Sequence, residues 1–157
     1  MRFKNIETLL DWAFQMSETE IINSAQYGER QDRNFSSLTM DERHKQAIDI
    51  LAKVSRLDKP DIACITAKHT LGRGAVHDAA YLLPNMPRPM QLALVRRWAG
   101  DTRQSQREIA EMCGCSRKTV NLRESESTKI LNSHYWHGCD MLEIQLLDLL
   151  KERLICA

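Results

Sequence analysis

Apolar residues recur at intervals of three and four almost throughout the chain, which is the spacing of helix faces and not of strands. Ile6, Leu9, Leu10, Ala13 and Phe14 form one such face, and a second short helix is predicted over 19–25. Residues 26–37 are polar, contain Gly28 and lack an apolar period, so a loop is expected there. Thr39-Met40-Asp41-Glu42 has the form of a capping box. It opens a helix whose apolar face is expected to be Ala47, Ile48, Leu51, Val54 and Leu57. Pro60 opens the next helix, with Ile62, Cys64, Ile65 and Leu71 as its apolar positions, and Gly72-Arg73-Gly74 ends it. A short helix over 75–83 follows. Pro84, Pro87 and Pro89 then punctuate the chain, and a domain boundary is expected at that point. Beyond it, residues 90–98 predict a helix carrying Leu92, Leu94, Val95 and Trp98, closed by Gly100-Asp101-Thr102. A final helix over 140–155 is apolar on more than one face.

The pattern predicts an all-α protein: an N-terminal helical region, 1–83, and a second region, 84–157, holding a helix-turn-helix and the apolar final helix. The chain has 157 residues, enough to bury a core without a disulfide or structural metal. Its five cysteines, with no secretion signal, predict reduced thiols and a cytoplasmic protein. No apolar run approaches the length of a membrane span.

The most informative stretch is Ser105-Gln-Arg-Glu-Ile-Ala-Glu-Met-Cys-Gly-Cys-Ser-Arg-Lys-Thr-Val-Asn121. A helix-turn-helix crosses two short helices at a steep angle through a tight turn. Ala110 is the small residue such a crossing needs, and Ile109 and Cys113 lie one turn apart toward the core. Gly114 supplies the positive φ of the turn, Cys115 is small enough to point inward, and Ser116 can cap the second helix. Val120 packs back on the first helix. Ser116, Arg117, Lys118, Thr119, Asn121 and Arg123 are then left on or near the outer face. Arg and Asn can pair with guanine and adenine edges in the major groove, while Thr and Lys suit phosphates or either groove edge. Gln104, Gln106 and Arg107, at the start of the first helix, are expected at phosphates, with Arg96 and Arg97 adding charge. DNA binding is the expected function, and no catalytic residue or cofactor is expected.

Charge placement agrees with this. The whole chain is +1, but residues 88–123 hold eight basic and three acidic residues, a net of +5, which a phosphate-facing surface requires.

Residues Leu83-Pro84, Met90 to Gly100 and Gln106 to Val120 together resemble the DNA-binding region of sigma factors and their relatives. The shared features are a leading Leu-Pro turn, a helix ending near a Gly, and the Glu-Ile-Ala…Gly-x-Ser…Thr-Val signature. The resemblance covers residues 83–131 and specifies a DNA-binding helix-turn-helix without specifying one family. The layout, with the apolar helix Ile6 to Phe14, is also similar to phage late-gene antitermination proteins of the Q type. That likeness implies contact with promoter-proximal DNA and RNA polymerase, in a phage or mobile element. One position departs from the pattern: Glu124 stands where relatives carry an apolar residue, four after Val120. Either the second helix ends near Ser125, or packing shifts to Leu122, Ile130 and Leu131.

Three other constellations compete. Cys113 and Cys115 with His134, His137 and Cys139 invite zinc, but Cys-x-Cys spacing is atypical and both cysteines already serve the turn. His134 to Cys139 is expected to be a connector between helices. His69 and His77 flank Gly72-Arg73-Gly74, which is too short for a phosphate loop and follows no strand. These histidines, with Lys68 and Arg73, are expected at the surface or at helix ends. The apolar final helix suits either packing against the N-terminal helices or a homodimer that would offer two recognition helices. The rival function is a protein-interaction module, such as an inhibitor of a host complex, that keeps the helix pair as scaffold.

Overall fold

The computed structural model describes residues 3–23 and 40–150. Those residues form seven α-helices and one 3-10 turn. The helices are α1 (Ile6–Asn23), α2 (Met40–Val54), α3 (Lys59–Thr70), α4 (Arg73–Ala80), α5 (Arg88–Trp98), α6 (Gln106–Cys113) and α7 (Arg117–Gln145), and the turn is Leu147–Leu149. The only extended pairing among the described residues is a single bridge between Phe3 and Leu150. The fold is all-α, as the periodicity requires.

The chain divides into two compact units, one of residues 1–57 and 139–157 and the other of residues 58–138. The Pro84–Pro89 stretch therefore lies inside the second unit, between α4 and α5, and the expected 83/84 division falls there too. Helix α7 begins in the second unit and ends in the first.

In the first unit, Ile6, Leu9, Leu10 and Ala13 are buried on α1, as their spacing predicts. The helix runs unbroken to Asn23, so there is no separate second helix starting at Thr19. Asn5 starts it: its side-chain oxygen accepts from the Thr8 N–H at 2.8 Å. Helix α2 buries His44, Ala47, Ile50 and Val54, whereas Ile48 is exposed. The buried stripe is thus rotated from the one expected, because Ile50 and not Ile48 continues the face set by Ala47 and Val54. The predicted loop over 26–37 and the Thr39 cap lie outside the described residues. Leu142, Leu146 and Leu150 are buried in this unit, while Met141, Ile144 and Leu147 are exposed. The Phe3 N–H donates to the Leu149 carbonyl at 2.7 Å, and the Phe3 and Trp12 rings lie 5.2 Å apart. Leu154 and Ile155 are outside the described residues.

The second unit holds α3 to α6 and α7 as far as Gly138. Pro60 sits in the first turn of α3, where its missing N–H costs nothing. Leu71 closes α3 in the left-handed region, with φ 53°, and Gly72 begins α4. Pro89 likewise opens α5. His134–Cys139 is helical and not the expected connector, and no separate helix starts at Asp140: α7 is one helix of 29 residues through Gln145. Long-range polar ties explain its continuity where the apolar period fails. Glu124 pairs with Arg97 of α5, Asn132 accepts from the Trp98 indole N–H at 2.8 Å, and the Tyr135 hydroxyl meets His69 Nε2 at 2.8 Å. Lys68 lies over both the Trp98 and Tyr135 rings, at 4.6 and 4.9 Å from their centroids. Lys68 and His69 are therefore half-buried parts of the α3–α5–α7 contact, not a solvated face.

Candidate nucleic-acid interface

Helices α5, α6 and the start of α7 share a small core of Met90, Ala93, Leu94, Ile109, Ala110 and Val120, with Met86, Cys113 and Cys115 packed against it. Each buried aliphatic side chain there contributes roughly 1.5–3 kcal/mol. Leu94, Ile109, Ala110 and Val120 take interior places that the sequence assigns to them, Met90 and Ala93 join them from α5, and Cys113 and Cys115 lie in the packing role expected of them. Burial pushes the Cys113 thiol up, and the neighbouring Cys115 adds to the effect.

The turn closes by backbone geometry. Gly114 has φ 65° and ψ 35°. The Cys115 N–H donates to the Ala110 carbonyl at 3.0 Å and the Gly114 N–H to that of Glu111 at 3.4 Å. This crossed pair is a Schellman closure, which needs a residue at ease with positive φ. A Cβ at Gly114 would meet no atom within 4 Å, so the requirement for Gly is conformational and not steric. Two serines start the two helices. The Ser105 hydroxyl accepts from the Glu108 N–H and donates to its carboxylate, both at 3.2 Å. The Ser116 oxygen accepts from the Thr119 N–H at 3.2 Å and lies 3.0 Å from the Thr119 hydroxyl. Two residues of helix separate Ser116 from Thr119, so the cap fixes where Arg117 and Lys118 emerge.

Glu124 has a definite task. Its carboxylate takes the Arg97 Nε and Nη2 at 3.1 and 3.4 Å and the Gln106 amide at 3.2 Å. Arg97 also donates to the Gln104 carbonyl at 2.9 Å. One ion pair thus ties α5, the approach to α6, α6 itself and α7 together. The second helix does not stop near Ser125; of the alternative packing positions Leu122 is 58% exposed, whereas Leu131 is fully buried and Ile130 half-buried.

The expected site residues fall into two groups. Arg107, Arg117, Lys118, Thr119 and Asn121 are exposed, and Arg107, Arg117 and Lys118 make no ion pair or hydrogen bond among the described residues. Arg97, Ser105, Gln106, Arg107 and Arg117 line an open groove of about 380 Å³. Others are committed within the protein. Arg97 holds Glu124, Gln104 is half-buried beneath Arg97, and Arg123 pairs with Glu126 at 3.4 Å. Gln106 donates to the Asn121 side-chain oxygen at 3.3 Å, so it fixes the Asn121 amide from α6. Arg103 is held by Asp101 at 2.8 Å, and this pairing keeps the Asp101 carboxyl down at about 2. Arg88 stacks over Tyr81 at 4.0 Å. The basic block therefore offers fewer available cations than its +5 suggests. Lys118, Leu122 and Ser125 follow one another along the exposed side of α7 at helical spacing. Leu122 and Ser125 were not among the expected contacts, because nothing in the pattern distinguishes an outward leucine from a core one.

Compared with known protein families and with curated proteins, the chain matches none.

Proposed function

We propose that the chain binds duplex DNA through a helix-turn-helix formed by α6 and the start of α7, and acts as a sequence-specific transcription regulator. One observation carries the reading. A Gly114 turn and a Ser116 cap set the first two turns of α7 outward, where Arg117, Lys118, Thr119 and Asn121 are exposed together. Major-groove recognition uses the N-terminal end of such a helix, with Arg and Asn at base edges. The unpaired Arg107 and Arg117, beside the N-terminus of α6, suit a phosphate, which the N–H groups of that helix end also attract. Leu122 adds an apolar contact of the kind that reads a thymine methyl. In this reading Gln106 orients Asn121, and Arg97 with Glu124 holds the helix angle. An action on RNA polymerase in the manner of the Q-type antiterminators extends this proposal, with the first unit as the partner-contacting part.

The test is selection of duplexes from a random pool by the full-length chain. A shared short sequence, retained by the wild type and lost when Arg117→Ala and Lys118→Ala are combined, is the expected result. Recovery of no common sequence at low salt would defeat the proposal and favour the protein-interaction role.

A further inference from the structure

Away from α6, two short residue pairs meet in the second unit. Asp58-x-x-Asp61 lies at the start of α3, and His134-x-x-His137 lies on α7. On α7, spacing by three puts both histidines on one side of the helix. One ligand atom each from Asp58, Asp61 and His137 lies within 4.8 Å of the others. His137 Nδ1 is 2.5 Å from Asp61 Oδ2, and His134 Nδ1 is 3.5 Å from Asp61 Oδ1. The two carboxylates differ in setting. The Asp61 side chain is only 3% exposed, whereas Asp58 is exposed. Asp58 occupies the N-cap position of α3, yet its side chain makes no capping hydrogen bond. Pro60 removes one of the two N–H groups that such a cap would reach. The Asp58 carboxylate instead lies within 4.8 Å of the Asp61 carboxylate and of His137.

We propose that Asp58, Asp61, His134 and His137 form a binding site for a divalent metal ion of the zinc type. Two borderline imidazoles beside two hard carboxylates suit zinc better than magnesium or calcium, which favour all-oxygen sets. Zinc sits about 2.0–2.2 Å from such atoms, which places tetrahedral ligands about 3.3 Å from one another. Asp58, Asp61 and His137 already bring one ligand atom each within 4.8 Å of the others, and His134, with Nδ1 3.5 Å from Asp61 Oδ1, must turn inward to complete the set. Such a site would pin the start of α3 to α7 beyond the end that carries the recognition residues. It stands independently of DNA binding, because none of its four residues belongs to the α6–α7 turn.

The experiment is calorimetric titration of Zn²⁺ into the full-length chain after chelator treatment, with Co²⁺ absorption as a second readout. One ion per chain is expected. The Co²⁺ form should show the visible bands of a tetrahedral oxygen and nitrogen site, without intense thiolate charge-transfer bands. Because Asp61 is buried, the test rests on Asp58→Asn, His134→Gln and His137→Gln. Each should weaken Zn²⁺ binding about tenfold or more, while circular dichroism stays that of the wild type. Absence of stoichiometric Zn²⁺ binding overturns the proposal. So does affinity unchanged in the Asp58→Asn and His134→Gln variants, or thiolate bands that move the ligands to Cys113 and Cys115.

Discussion

Replacing Glu124 by Leu would put an apolar residue four positions after Val120, and it should destabilise this protein. The Arg97 and Glu124 side chains are 19% and 25% exposed, intermediate between a surface ion pair and a buried one. Surface pairs contribute about 0–1 kcal/mol, and breaking a buried one costs about 3–5 kcal/mol. At 3.1 Å and an effective dielectric of 20, the gross attraction is roughly 5 kcal/mol, most of it offset by desolvation and side-chain ordering. Removing Glu124 strands a mostly buried guanidinium and also releases Gln106. The expected loss is ~2 kcal/mol, or a fall of about 1 M in the urea midpoint. A double-mutant cycle with Arg97→Met isolates the pair and should return a coupling of ~1–2 kcal/mol. Urea unfolding followed by circular dichroism measures each arm. A coupling near zero, or a Glu124→Leu chain as stable as wild type, would refute the clamp and with it the explanation for why α7 continues through a polar run.

Two further predictions follow from the turn and from a buried thiol. Gly114→Ala should cost about 1–2 kcal/mol through its positive φ alone, and Gly114→Asn less, since no Cβ clash adds to the strain; urea denaturation of both variants checks the order. Burial first, and the charge of Asp61 second, push the Cys64 thiol up to about 12 from 9.0. The folded chain then holds this proton when the unfolded chain has lost it, so stability falls as pH rises from about 9 toward 12. Alkylation at pH 8 read by mass spectrometry should leave Cys64 unmodified in the native protein and modify it in urea.

Much of the interior of the α6–α7 pair was legible in sequence because its determinants are local. Ile109, Ala110, Gly114, Cys115, Ser116 and Val120 each act through neighbours within about one helical turn, and all take the expected places. The course of α7 was not legible. Its polar stretch after Val120 resembles a helix end, and His134 to Cys139 resembles a connector. The groups that make them helical lie far away in sequence: Arg97 for Glu124, Trp98 for Asn132, His69 for Tyr135 and Asp61 for His137. The same reason hid the meeting of Asp58 and Asp61 with His137. A search by cysteine and histidine spacing finds the histidines but not the carboxylates of α3. The charge block was visible in sign and misleading in availability, because Arg97, Arg103 and Arg123 are held by Glu124, Asp101 and Glu126.

The central claim is that the outer face of α6 and early α7 grips DNA, and the salt dependence of duplex binding tests it most directly. Each phosphate contact neutralised by a cation steepens the fall of log affinity with log salt by about 0.9. Wild type and the combined Arg107→Ala, Arg117→Ala and Lys118→Ala variant should be titrated with the same duplex by fluorescence anisotropy across a range of salt. The account predicts weaker binding by the variant and a slope shallower by about 2 to 3. Equal slopes and equal affinities for the two proteins would contradict it.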